Sequence, residues 1–95
     1  MAWMMTHEID WDANDWDETP VKLANLRFGP SSISQKEIDS LKAGKGHAWR
    51  CYDDDGVHQA SGRMLAIDFG PLDDYCMPNS GATEIRYWEN GWKTL

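Results

Sequence analysis

The chain has 95 residues, 41% of them hydrophobic and six of them tryptophan, a composition that fits a folded domain rather than a disordered segment. Sixteen Asp and Glu against nine Lys and Arg give a net charge of −7 at pH 7. Because contact with phosphates needs clustered Lys and Arg, this balance argues against direct nucleic-acid binding and against binding to anionic membrane surfaces.

The N-terminal residues and the cysteines indicate a cytoplasmic protein. The sequence begins without a basic region ahead of an apolar run, so we expect no signal peptide. No stretch approaches the roughly 18 apolar residues of a membrane helix. Cys51 and Cys76 are compatible with reduced thiols, although the sequence leaves a disulfide between them open.

The first predicted element is a half-buried strand at residues 3–11, where hydrophobic and polar residues alternate. Trp11 falls on the hydrophobic side and is expected to cover the core, whereas Glu8 falls on the polar side. An acidic loop follows at residues 10–18, because Asp and Asn are frequent there and no apolar period continues. The first eighteen residues contain six acids and no Lys or Arg, and Trp16 among them is expected to be exposed.

A strand at residues 21–28 and a helix at residues 35–43 are predicted next. The alternation of the strand breaks at Ala24-Asn25, which indicates a bulge. Ser34 and Glu37 have the spacing of a capping box, and Gly44 stands where a helix often ends. So short a helix is not stable alone, so we expect it to pack on the sheet.

A central hairpin is predicted at residues 47–69, with its turn at Asp53–Gly56. A two-residue loop would place Trp49 opposite Gly62, whereas a three-residue loop with Gly56 in the left-handed conformation shifts the pairing by one residue. We favour the three-residue loop, because its register unites the apolar residues on one face. That face would hold Trp49, Cys51, Val57, Leu65, Ile67 and Phe69.

The last part of the chain is predicted as a long loop followed by a hairpin. Residues 70–81 are rich in turn residues, residues 82–89 alternate as a strand, and Asn90-Gly91 is a strong signal for a tight type I′ turn. Across that turn we expect Trp88 opposite Lys93 and Tyr87 opposite Thr94. The order β-β-α-β-β-β predicts an α+β fold, in which residues 1–95 form a single domain with an antiparallel sheet of about five strands and one short helix packed on it. Whether the sheet is open or closes into a small barrel is left undecided.

No residue is predicted to be catalytic, and no cofactor or metal site is predicted. The sequence contains no nucleophile elbow, zinc-protease motif or phosphate loop. Asp10, Asp12 and Asn14 match the start of a calcium loop, but Asp15 occupies the position that requires glycine. The residues of the types that bind zinc lack a recognised spacing; they are His47, Cys51, His58 and Cys76.

The acidic runs give the main functional hypothesis, a non-enzymatic interaction domain that binds a basic protein surface. Tryptophan contributes strongly to interface affinity, and surrounding carboxylates speed encounter with a positive partner. Inhibitors, antitoxins, immunity-type proteins and mimics of nucleic-acid charge belong to this class. The predicted contact residues are Asp10, Asp12, Asp15, Trp16, Asp17, Glu18, Asp53, Asp54 and Asp55.

The alternative hypothesis is a domain that binds a small ligand in a pocket beneath the 70–81 loop. Long loops inside compact domains are often functional, and aromatic residues are frequent around this one. The predicted lining residues are Tyr75, Met77, Tyr87 and Trp88.

Overall fold

A computed structural model describes residues 1–11 and 19–95 of the chain. The described residues form six strands and a helix, together with a second helical segment. The strands are β1 (Trp3–Glu8), β2 (Val21–Gly29), β3 (His47–Tyr52), β4 (His58–Met64), β5 (Glu84–Trp88) and β6 (Trp92–Thr94). The helix α1 spans Gln35–Lys42, and a π-helical turn at Leu72–Cys76 leads into the short helix α2 at Met77–Ser80.

The strands form one sheet in the order β2-β1-β4-β3-β5-β6, and every neighbouring pair is antiparallel. The predicted α+β class is therefore confirmed, with six strands instead of about five. The additional strand is β6, since the Asn90-Gly91 turn returns the chain so that Trp92 lies opposite Trp88. The predicted pairing of Trp88 with Lys93 is wrong by one residue, because Lys93 lies opposite Tyr87. With β2 and β6 at its two edges, the described sheet is open.

A β-bulge in β1 changes which side chains enter the core. The pairing of β1 with both neighbours shifts between Met5 and His7, so the alternation inverts beyond this point. Glu8 consequently lies opposite Ala60 and is buried, although the sequence placed it on the polar side. The strand also ends at Glu8, and Trp11 is 56% exposed, so the expectation that Trp11 covers the core is wrong.

On β2, the shift in the pairing with β1 lies between Lys22 and Arg27. The sequence indicated a bulge within this stretch, at Ala24-Asn25. That prediction is confirmed. It leaves β2 irregular along the edge of the sheet, with most of its side chains exposed.

The central hairpin has the predicted three-residue loop but a different register beyond it. Gly56 has φ +76°, and the Asp53 amide donates to the Val57 carbonyl at 3.1 Å. A bulge between Cys51 and Tyr52, where Gln59 is the extra residue on β4, then restores the pairing that a two-residue loop would give, with Trp49 opposite Gly62. At Gly62 a side chain would collide with the Met4 carbonyl on β1.

The second strand of this hairpin ends at Met64, well before Phe69. The prediction that Leu65 and Phe69 share a face with Trp49 is wrong, because Leu65 packs in a separate cluster and Phe69 is exposed. Ile67 does pack against the cluster that contains Trp49.

Two hydrophobic clusters lie on opposite sides of the sheet. The larger one is covered by helical residues 70–80, and its buried members are Trp3, Met5, Trp49, Cys51, Ala60, Met64, Leu72, Cys76, Ala82 and Ile85. On the other side, Leu41 of α1 packs with Ala2 and Met4 near one end of β1. Among the described residues, no helix makes extensive contact with the part of this second side formed by β3, β5 and β6.

The capping box of α1 is confirmed. The Ser34 hydroxyl accepts from the Glu37 amide at 3.2 Å, and the Glu37 carboxylate accepts from the Ser34 amide at 3.0 Å. These hydrogen bonds from Ser34 hold the pKa of Glu37 below its usual value. The helix ends just before Gly44, which has φ +82°.

Residues 70–80, predicted as a loop, are helical. Leu72, Tyr75 and Cys76 have the spacing of one helix face, and that face packs on the larger cluster. The Trp3 indole N–H donates to the Asp74 carboxylate at 2.9 Å and fastens the segment to β1. Among residues 1–11 and 19–95, no helix is both long and apolar enough to cross a membrane.

Candidate functional site

The strand directions bring predicted acidic residues to one end of the sheet. At this end the Ile9 amide donates to the Gln59 carbonyl at 2.9 Å, so Asp10 emerges beside the start of β4. The Asp53–Gly56 turn joins β3 to β4 at the same end. We call this region, defined by Asp10 and Asp53–Asp55, the acidic end.

The described residues stop at Trp11 and resume at Thr19. Trp11 follows Asp10, and Thr19 is close to Val21, which lies opposite Glu8. Trp11 and Thr19 therefore both lie near the acidic end. The remaining predicted contact residues lie outside the described residues; they are Asp12, Asp15, Trp16, Asp17 and Glu18.

The three aspartates of the turn have different roles. The Asp53 carboxylate accepts from the amides of Asp55 and Val57, both at 2.9 Å, and so stabilises the turn itself. Asp54 and Asp55 are exposed, and within the described part of the chain their carboxylates form no ion pair with Lys or Arg. Two negative charges are therefore available at the tip to an external partner.

A cleft of about 300 Å³ adjoins the acidic end. On its wall the Tyr75 hydroxyl donates to the buried Glu8 carboxylate at 3.3 Å, and Arg27 Nε lies 3.8 Å from the same oxygen. Burial and the hydrogen bond to Glu8 raise the pKa of Tyr75. Charges of both signs and apolar groups share the lining, which comprises Glu8, Ile9, Asp10, Trp11, Val21, Lys22, Leu23, Ala24, Arg27 and Tyr75.

Of the four residues predicted to line a ligand pocket, only Tyr75 lines this cleft. Tyr87 packs against the larger hydrophobic cluster, and Met77 is 47% exposed. Trp88 points to the opposite side of the sheet from Tyr87, because successive residues of a strand alternate. The four side chains thus do not converge on one site.

A second candidate surface was not found from the sequence. It is the uncovered part of the sheet, which we call the open face and define by Arg50, Tyr52, His58, Arg86, Trp88 and Trp92. Arg50 and Arg86 lie directly opposite each other on β3 and β5. Arg63 lies on the same side of the sheet, since Arg50 is opposite Ser61 two residues before it, so this side holds three of the four arginines.

Aromatic rings support the arginines of the open face. The Arg50 guanidinium lies 4.2 Å from the ring centre of Trp92, and that of Arg86 lies 4.1 Å from the ring centre of Tyr52. Such cation–π contacts hold flexible side chains in place on a surface. Arg86 also pairs with the Glu84 carboxylate.

Each of these two arginine–ring pairs contacts one more ring of the open face. Trp88 meets Trp92 edge to face at 5.6 Å, and His58 lies 5.4 Å from Tyr52. Burial, together with the positive charge of Arg50, lowers the pKa of His58. The open face therefore combines two arginines, an imidazole whose pKa is lowered, and exposed rings.

Comparisons of the chain with protein-family models, with curated proteins and with solved structures gave no match. Function is therefore inferred from the acidic end, the cleft and the open face.

The described residues contain no group of three or more His, Cys, Asp or Glu side chains placed to hold a metal ion. Cys51 and Cys76 are buried free thiols. A hydrogen bond with Cys76 and burial both raise the pKa of Cys51, so its reactive thiolate form is disfavoured.

Proposed function

We propose that this chain is a non-enzymatic interaction domain whose acidic end binds a basic protein surface. The supporting observation is that Asp10 and the Asp53–Asp55 turn, distant in sequence, lie at the same end of the sheet. Asp54 and Asp55 are solvated carboxylates, which attract a positive partner over long range. The exposed Trp11, which follows Asp10 in the chain, supplies apolar area of the kind that dominates interface energetics.

An inhibitor, antitoxin or immunity-type protein would use such a surface to cover a basic site on its partner. Carboxylates at the rim mainly accelerate association and make it dependent on salt. The proposed complex therefore weakens as ionic strength rises, because screening shortens to about 3 Å at 1 M salt.

The experiment is a titration of ¹⁵N-labelled protein with an arginine-rich peptide, followed by amide chemical shifts. The expected changes are confined to Asp10, Trp11 and residues 53–56. Equal changes at Asp39 and Asp73, which lie toward the other end of the molecule, would mean unspecific attraction and would reject the proposal.

Charge-neutral variants make the same test quantitative. The double substitution Asp54→Asn/Asp55→Asn is expected to weaken peptide binding by about fivefold, given what exposed ion pairs contribute. The matched variant Asp39→Asn/Asp73→Asn removes equal charge away from the acidic end and is expected to bind normally. Equal weakening in both variants contradicts a localised site.

A second candidate function, small-ligand binding, is favoured by the cleft beside Tyr75. Its volume of about 300 Å³ is at the lower limit of ligand sites, and Glu8 offers a buried charge on its wall. A thermal-shift screen of metabolites tests it, since a ligand at 100 times its Kd adds about 2.7 kcal/mol of stability. A hit whose shift survives Glu8→Gln unchanged does not bind in this cleft.

A further inference from the structure

We propose that the open face binds single-stranded nucleic acid, with Arg50 and Arg86 contacting phosphates and the exposed rings stacking on bases. This surface is separate from the acidic end and goes beyond the function proposed above.

The first observation is electrostatic. Like charges placed directly opposite each other on neighbouring strands destabilise a sheet, and Arg50 and Arg86 have this arrangement. Glu84 offsets the charge of Arg86, whereas Arg50 forms no ion pair with any described carboxylate. A phosphate bound by both arginines would offset this unfavourable arrangement of charge.

The second observation is that aromatic rings of the open face are exposed to solvent. Trp88 is 49% exposed and Trp92 is 36% exposed, and the two rings meet edge to face. Exposed aromatic rings next to arginine form the platforms on which unpaired bases stack. The cation–π contacts already hold Arg50 over Trp92 and Arg86 over Tyr52, so little side-chain freedom is lost on binding.

A single strand fits these features better than other anionic partners. A duplex hides its bases from a flat sheet, and an acidic peptide supplies charge without planar groups for the rings. The low Lys and Arg content argued against nucleic acid because no cluster was visible in the sequence. The fold creates that cluster by pairing β3 with β5, which are separated by more than thirty residues in the chain.

The acidic end limits how many nucleotides the open face can bind. It begins just past Tyr52 and His58, where Asp53–Asp55 repel phosphates. The expected footprint is therefore short, on the order of four nucleotides.

The experiment measures binding of the full chain to a fluorescein-labelled oligothymidylate of about 12 nucleotides, a length that covers such a footprint. Anisotropy is followed from about 0.05 M salt upward, together with quenching of tryptophan fluorescence. Two phosphate contacts give a slope of about −1.4 for log K against log salt. Arg50→Gln is expected to halve this slope and to weaken binding about fivefold at 0.1 M salt.

Two further variants separate the roles. Trp88→Leu keeps apolar bulk and is expected to reduce the fluorescence quenching and the affinity while leaving the salt slope unchanged. Lys36→Gln removes one positive charge on α1 that is not part of the open face, and is expected to leave both affinity and slope unchanged.

The proposal is overturned if no binding occurs at about 100 μM protein in 0.05 M salt, or if Arg50→Gln leaves the slope unchanged. Equal affinity for a duplex or for an oligoglutamate peptide also overturns it, because either result indicates attraction without stacking. The Asp54→Asn/Asp55→Asn variant is expected to retain binding, so failure here is distinct from failure at the acidic end.

Discussion

Gly62 shows how one residue fixes the spacing of two strands. A side chain at this position would collide with the Met4 carbonyl on β1. We expect Gly62→Ala to lower the free energy of unfolding by more than about 3 kcal/mol, as measured by urea denaturation. Gly44→Ala is the control, since Gly44 has φ +82° and open space around it, so only the backbone cost of about 1–2 kcal/mol applies. A smaller loss at Gly62 than at Gly44 would contradict this assignment.

His58 gives a second prediction at the scale of a residue. Burial and the charge of Arg50 lower its pKa, so the folded state binds this proton less readily than the unfolded state. Its contribution to stability is therefore lost as the pH falls below the ordinary histidine value of about 6.5. In Arg50→Gln the pKa of His58 should rise, yet stay below that ordinary value because burial persists. NMR titration of the imidazole protons measures this, and an unchanged pKa would exclude the influence of Arg50.

The helical segment at residues 70–80 covers the larger hydrophobic cluster and shields it from solvent. Cys76 on the segment and Cys51 on β3 are both fully buried. Alkylation of either thiol therefore requires the segment to open, and we expect iodoacetamide to modify both cysteines at the same slow rate.

Leu72→Ala tests this view of the segment. Leu72 is buried in the cluster, so its truncation should speed modification of both cysteines by at least tenfold, in line with a loss of about 2 kcal/mol or more. Met77→Ala, at an exposed position of the same segment, should leave the rate unchanged. Mass spectrometry of timed samples measures the rates, and rapid labelling of the unsubstituted protein would show that the segment does not seal the cluster.

What the sequence predicted correctly is local. The Ser34 capping box and the left-handed Gly56 each depend on a few adjacent residues, and both are present. The chain also turns at Asn90-Gly91, but the pairing across that turn differs from the prediction by one residue. The shifts between Met5 and His7 and between Cys51 and Tyr52 depend on the neighbouring strands, so the burial of Glu8 and the register of the hairpin were missed. The helical segment was obscured by its many turn residues, although Leu72, Tyr75 and Cys76 carried a helical spacing.

The two candidate surfaces also differ in how much of each could be predicted from the sequence. The acidic runs are visible in the sequence, whereas the position of Asp10 and Asp53–Asp55 at one end of the sheet follows from the fold. The open face was invisible, because nothing in the sequence indicated that β3 and β5 pair and bring Arg50 opposite Arg86.

At the scale of the molecule, a negative region and a positive region are separated despite the net charge of −7. Asp10 and Asp53–Asp55 define the acidic end, whereas three of the four arginines share one side of the sheet. We expect Asp54→Asn/Asp55→Asn to tighten oligothymidylate binding by about twofold, because repulsion from the tip is reduced. The Asp39→Asn/Asp73→Asn control should change it less, and equal tightening would show that only net charge matters. Anisotropy titration measures both.

The irregular edge strand β2 has a consequence for the protein in concentrated solution. Its outer edge has no neighbour among the described strands, and exposed backbone edges are where chains join into fibrils. Two features oppose such joining: the shift between Lys22 and Arg27 interrupts a straight edge, and these cations add charge that a growing stack would have to bury. These two features disfavour the joining of copies through the backbone of β2.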